Sequence, residues 1–127
     1  MKMAPTTVPR KILVVDDDKA VTALLEGVLA AKGYDVTKAH DGLECMSKVK
    51  SVIPDLLVLD VMMPELNGYD VCRDIKFDAK FKHIPIIVLT SRDQELDPRI
   101  GALMGIDYMH KPVDTKLLLE KIQKALK

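Results

Sequence analysis

Residues that could do chemistry recur at four equivalent places, each just past a short apolar run. Asp16, Asp17 and Asp18 follow ILVV, Asp60 closes LLVL, Thr90 and Ser91 close IPIIVL, and Lys111 with Pro112 comes shortly after IDYM. Acids side by side repel, by about 4 kcal/mol for two charges ~4 Å apart near a protein surface. They face water unless something positive sits among them. Clustered carboxylates bind a hard divalent cation, and Mg²⁺ takes an octahedral oxygen shell and keeps several waters. A carboxylate can also attack phosphorus to give an acyl phosphate. A metal, a lysine and a hydroxyl would then stabilise charge on the transferring phosphoryl group. Taken singly, each residue has a plainer account: a helix cap or solvated acid, a β-forming threonine, a surface lysine. The combination at four run ends is what points to one site.

For these residues to meet, the apolar runs must be strands of one sheet. Residues 11–15 read as a strand whose Ile12 to Val15 are apolar and mostly β-branched without alternation, as when both faces are buried. A helix follows, with Val21, Leu24, Leu25, Val28 and Leu29 on one face and Gly33 as its stop. Residues 35–39 read as a more polar strand near an edge, and 42–51 as a helix burying Leu43, Met46 and Val49. Residues 55–60 form a third strand, VMMPELNG a loop, and 69–77 a helix with Val71, Cys72 and Ile75 inward. Residues 84–90 are the most apolar strand. The fourth helix, within 94–105, is weak because Pro98 and Gly101 fall in its interior. Residues 106–109 give a fifth strand, and a last helix from about Asp114 shows a stripe of Leu118, Leu119, Ile122, Ala125 and Leu126. Alternating strands and helices imply an α/β fold, a doubly wound five-stranded parallel sheet with right-handed crossovers. Ligands of such sheets bind beyond the carboxyl ends of the strands.

The chain has 127 residues, enough for one domain, and 48% are hydrophobic. Nineteen basic residues balance nineteen acidic ones, which argues against nucleic-acid binding driven by bulk charge. Cys45 and Cys72 lack metal-ligand spacing and read as reduced thiols; His40, His83 and His110 are dispersed and read as solvated or locally bonded. No apolar run reaches the length of a membrane span, and the first ten residues do not form a signal peptide, so a cytoplasmic protein is expected. Residues 1–10 read as a flexible leader and 11–127 as one domain.

The acidic pair in VVDDD, the segment LDVMMPELNG with Pro64 and Gly68 four and eight residues after Asp60, then VLTS and HKP, occur in that order. Together they resemble the receiver domain of bacterial two-component response regulators, of the chemotaxis-regulator type, over residues 11–126. The resemblance implies a flavodoxin-like (βα)5 fold of three α/β/α layers. It implies Asp60 as phosphoacceptor, and Mg²⁺ (or Mn²⁺) held by Asp16, Asp17, Asp60 and the backbone carbonyl of Met62. It gives Thr90 and Lys111 the phosphoryl oxygens, makes Tyr108 the aromatic that moves inward on activation, and places a cis peptide at Lys111-Pro112. Met62 and Arg92 would flank the path of an attacking water; an apolar Met62 offers it no hydrogen bond, which would prolong the phosphorylated state.

The reaction so implied is phosphoryl transfer from a sensor histidine kinase, a phosphotransfer protein or a small donor, followed by slow self-dephosphorylation rather than enzymatic turnover. The implied output is a conformational change passed to a protein target through the face of the fourth helix, fifth strand and fifth helix. The protein would be a monomer or a phosphorylation-dependent dimer, without direct nucleic-acid or membrane contact. Three rivals remain. An aspartyl phosphatase or mutase would need a second acid two residues after the nucleophile, where Met62 stands. A nucleotide-binding module would need a glycine-rich phosphate loop, which is missing after the first strand. An unphosphorylated interaction module of the same fold would not need the full residue set. The chain is expected to be a stand-alone receiver, on the strength of its initiator methionine, or else a receiver cut from a longer transcription factor or output enzyme.

Overall fold

In a computed structural model, residues 8–60, 68–90 and 105–126 are described. Among the described residues there are five strands, β1 (Lys11–Val15), β2 (Asp35–Ala39), β3 (Leu56–Asp60), β4 (Ile86–Thr90) and β5 (Ile106–His110). All pair in parallel, in the order β2-β1-β3-β4-β5. The helices among the described residues are α1 (Lys19–Ala31), α2 (Gly42–Val52), α3 (Gly68–Lys76) and α4 (Thr115–Ala125). The polar β2 is an edge, as its composition suggests. The expected fourth helix lies outside the described residues except at Gly105, so α4 is the fifth helix of the sequence reading.

Side chains alternate across the pleat, and this sorts the core into two layers. Leu13, Val15, Leu57, Leu59, Ile86 and Val88 pack on the side of α2 and α3, against Cys45, Val49, Val71, Cys72 and Ile75. Ile12, Val14, Leu56, Val58, Ile87 and Leu89 pack on the other side, against Leu25 and Leu29 of α1 and Leu118 and Ile122 of α4. The sheet is therefore covered on both faces, which is why its central strands read as unbroken apolar runs. Cys45 and Cys72 are free and buried, and burial above all pushes both thiols up to about 12. Thiolate chemistry is thereby suppressed.

The helix faces differ from the sequence reading by part of a turn. Leu43 is 74% exposed, and α2 instead buries Gly42, Cys45 and Val49. On α1 Leu24 is exposed, and the buried line is Thr22, Leu25 and Leu29. Thr22 tolerates burial because its hydroxyl donates to the Lys19 carbonyl and meets His40 Nε2. Ala125 of α4 is exposed. Strand starts also shift: Asp55 precedes β3 and its carboxylate accepts from Lys11 N, while β4 begins after Pro85, which has no N–H for the ladder.

Ile53 caps α2 with φ 52° and ψ 71°, and its N–H donates to the Val49 carbonyl. This left-handed conformation is rare for a β-branched residue and disfavoured before a proline such as Pro54. Such strain costs on the order of 1–3 kcal/mol. Ile53→Gly is expected to stabilise the protein by about 1 kcal/mol, read as a higher urea midpoint at unchanged slope.

Candidate functional site

The register of the sheet assembles the site from distant segments. Val15 lies opposite Leu59, so Asp16 emerges beside Asp60. Asp60 lies opposite Leu89, one residue before Thr90, and Thr90 lies opposite His110, one residue before Lys111. The Lys111 N–H donates to the Thr90 carbonyl at 2.8 Å, which extends the ladder into the site. The Lys111-Pro112 peptide is cis. All these groups stand at the carboxyl edge of the sheet, where ligands of such folds bind.

Asp16, Asp60 and Thr90 are buried, at 0%, 1% and 0% exposure, whereas Asp17 is exposed. Carboxylate oxygens of Asp16, Asp17 and Asp60 all lie within 4.8 Å of one another. Lys111 Nζ lies 2.8 Å from Asp16 Oδ2 and 3.3 Å from Asp60 Oδ2. Buried charges require such partners, because desolvation otherwise costs several kcal/mol per ion. Partial burial lowers the Lys111 pKa, but the hydrogen bond to Asp16 and the charges of Asp60 and Asp16 outweigh it. The ammonium is held above its ordinary 10.5. Three carboxylates against one ammonium leave an excess of two negative charges, which suits a hard divalent cation with oxygen ligands. The donor set fits Mg²⁺.

The three consecutive acids have separate tasks. Asp16 Oδ1 accepts from the Asp18 N–H at 2.9 Å, while its Oδ2 holds Lys111. Both oxygens are thus oriented by the protein, a detail that residue types alone do not reveal; the signal for it is the tight turn that a DDD run before a helix allows. Asp18 is the N-cap of α1, its Oδ1 accepting from Ala20 N at 2.9 Å. Asp18→Ala should lower stability by about 1 kcal/mol in urea unfolding, while calorimetric Mg²⁺ affinity changes less than about twofold. A loss of Mg²⁺ binding would make Asp18 part of the cation site.

Tyr108 is half-buried on β5 and its ring meets that of His110 edge to face at 5.8 Å. Its partner across the ladder is Val88, two residues before Thr90. Met62 and Arg92 lie outside the described residues, as does Ser91. His40 is locally bonded, its Nδ1 3.5 Å from Glu44 Oε1 and its Nε2 3.3 Å from Thr22 Oγ1. No helix among the described residues is long and apolar enough to cross a membrane.

Comparison with known proteins agrees with this arrangement. Residues 12–123 match the response regulator receiver domain family. The alkaline phosphatase synthesis transcriptional regulatory protein PhoP of Bacillus subtilis is 40% identical over 119 residues, covering 93% of this chain and 49% of that protein. The chain thus spans about half the length of that relative. The chemotaxis protein CheY4 of Vibrio cholerae superposes with a TM-score of 0.81 at 28% identity, over 94% of this chain and all of its own. A response regulator signal receiver domain from Bermanella marisrubri gives 0.78 at 32% identity, over 94% of this chain and 100% of that one. A matched family over nearly the whole domain, on a sheet whose carboxyl edge carries the acids and the lysine, leads to one conclusion: this chain belongs to the receiver domains of two-component response regulators.

Proposed function

We propose that the protein is a phosphorylation-dependent switch in which Asp60 is the phosphoacceptor. The observation that carries this reading is a buried Asp60 at the end of a central strand, with Lys111 Nζ 3.3 Å from its carboxylate and two further acids beside it. An Asp60 oxygen attacks phosphorus, a P–O bond forms, and the bond to the donor breaks. The donor is a histidine kinase or phosphotransfer protein (P–N cleaved) or a small acyl phosphate (P–O cleaved). Asp16, Asp17, Asp60 and the Met62 carbonyl would hold Mg²⁺ or Mn²⁺. When bound, the ion neutralises charge on the phosphoryl oxygens. Lys111 supplies a second positive charge, and Thr90 a hydroxyl donor. Water later attacks phosphorus, releasing inorganic phosphate and restoring the Asp60 carboxylate, so the chain is reset rather than turned over as an enzyme.

Phosphorylation brings about −1.5 to −2 charges to the site. Thr90 and Lys111, drawn to that charge, move the carboxyl ends of β4 and β5. Tyr108, on β5, lies where it would follow that motion, and the output face for a protein target includes β5 and α4. Taking such a switch from 1:99 to 99:1 needs about 5.5 kcal/mol of differential stabilisation. A switch that takes its phosphoryl group from such donors would work in the cytoplasm. Incubation with Mg²⁺ and acetyl phosphate, followed by intact-mass measurement, tests the reading. A phosphate-sized gain that disappears in Asp60→Asn or with EDTA supports it. No gain with any small donor, and no Mg²⁺ binding, would favour an interaction module that is never phosphorylated.

A further inference from the structure

Helices α2 and α3 run back along the sheet, so their carboxyl ends reach the pole opposite Asp60. A groove of about 630 Å³ opens there, lined by Lys50, Ile53, Asp78, Lys80 and Phe81. Its apolar parts are Phe81, buried at 6% exposure, and Ile53, 54% exposed. Phe77, on the same loop, is 76% exposed. The strained conformation of Ile53 holds a large apolar side chain outward where a cap residue is normally small, and strain of this kind gathers at functional surfaces.

Two lysines against one aspartate give the groove lining a formal charge of +1. Asp78 is engaged by its own loop, its Oδ1 accepting from Lys80 N at 2.8 Å and its carbonyl from Phe81 N and Lys82 N. Among the described residues, the Lys50 and Lys80 ammonium groups make no ion pair. We propose that this groove docks an acidic peptide segment of a partner protein, one bulky apolar residue packing on Ile53 and Phe81 between carboxylates that meet Lys50 and Lys80. A nucleic acid fits less well: its phosphates want a run of cations, whereas two lysines flank an apolar hollow here. The surface is remote from the phosphoacceptor and does not depend on its chemistry.

Titration of the ¹⁵N-labelled full chain at low salt with the peptide acetyl-EDEFEDE-amide tests this. Saturable amide shifts confined to residues 50–53 and 78–81 are expected. Affinity should fall about tenfold in the Lys50→Glu, Lys80→Glu double variant, where like charges meet. It should fall at least ~5-fold when serine replaces the peptide's phenylalanine, since an apolar anchor carries most of such binding energy. Ile53→Gly, a variant expected to fold more stably, should lose affinity as well. Shifts elsewhere, or none that saturate, would overturn the proposal. So would equal affinity for the serine peptide, or displacement by a short single-stranded oligonucleotide at comparable concentration.

Discussion

Lys111→Gln should bind Mg²⁺ about tenfold more tightly and yet accept phosphoryl groups far more slowly. The first effect follows from charge. Lys111 lies 2.8 Å from Asp16 and 3.3 Å from Asp60, inside the cluster that would receive the cation. Removing a positive charge ~4 Å away is worth several kcal/mol at an effective dielectric of 20 before screening, so a tenfold gain is a conservative reading. The second effect follows from the transition state, where the same ammonium stabilises phosphoryl oxygens. Loss of one such preorganised donor costs about 10²-fold in rate. Calorimetry with Mg²⁺ and intact-mass time courses with acetyl phosphate read the two independently. Parallel losses in both would show that Lys111 merely holds the site together.

The same lysine predicts a pH dependence of stability. Its folded pKa is raised above 10.5, so the charged form is favoured by folding. That contribution is complete below the unfolded pKa and is lost as the pH rises through the folded value. The wild type should therefore lose stability above about pH 10.5 more steeply than Lys111→Gln, in urea unfolding across that range.

Leu57→Ala should cost about 3 kcal/mol, against the total of ~5–15 kcal/mol that holds a typical domain together. Leu57 is fully buried in β3, between Leu13 of β1 and Ile86 of β4, under α2 and α3. Leu43→Ser, by contrast, should change stability by less than about 0.5 kcal/mol, because that side chain is 74% exposed. Urea unfolding of the two variants compares them directly. Similar costs would mean that α2 presents its other face to the sheet.

Strands β1, β3 and β4 and the groups at their ends were legible in the sequence because a strand buried on both faces leaves an apolar run, while β2 and β5, more exposed, were placed by the alternation of strands with helices. Helix faces were less legible. Stripes through Leu24 and Leu43 obey helical spacing, yet packing buries Thr22 and Cys45 instead. Periodicity gives the width of an apolar face but not its phase against the sheet, and a hydroxyl bonded to Lys19 and His40 can take a buried place. At the site, residue types and order pointed to Asp16, Asp17, Asp60, Thr90 and Lys111. They did not reveal that Asp16 divides its oxygens between Lys111 and the Asp18 amide, since that depends on a backbone turn. The left-handed Ile53 was equally hidden, because nothing in an Ile-Pro pair announces a helix cap.

The central claim is that one oxygen of Asp60 takes the phosphoryl group. An acyl phosphate is reduced by borohydride to an alcohol, which converts the modified aspartate to homoserine. Protein treated with Mg²⁺ and acetyl phosphate, reduced in this way, digested and sequenced by mass spectrometry should carry homoserine at position 60 alone. Homoserine at Asp16 or Asp17, or a phosphate gain with no reducible aspartate, would contradict the account.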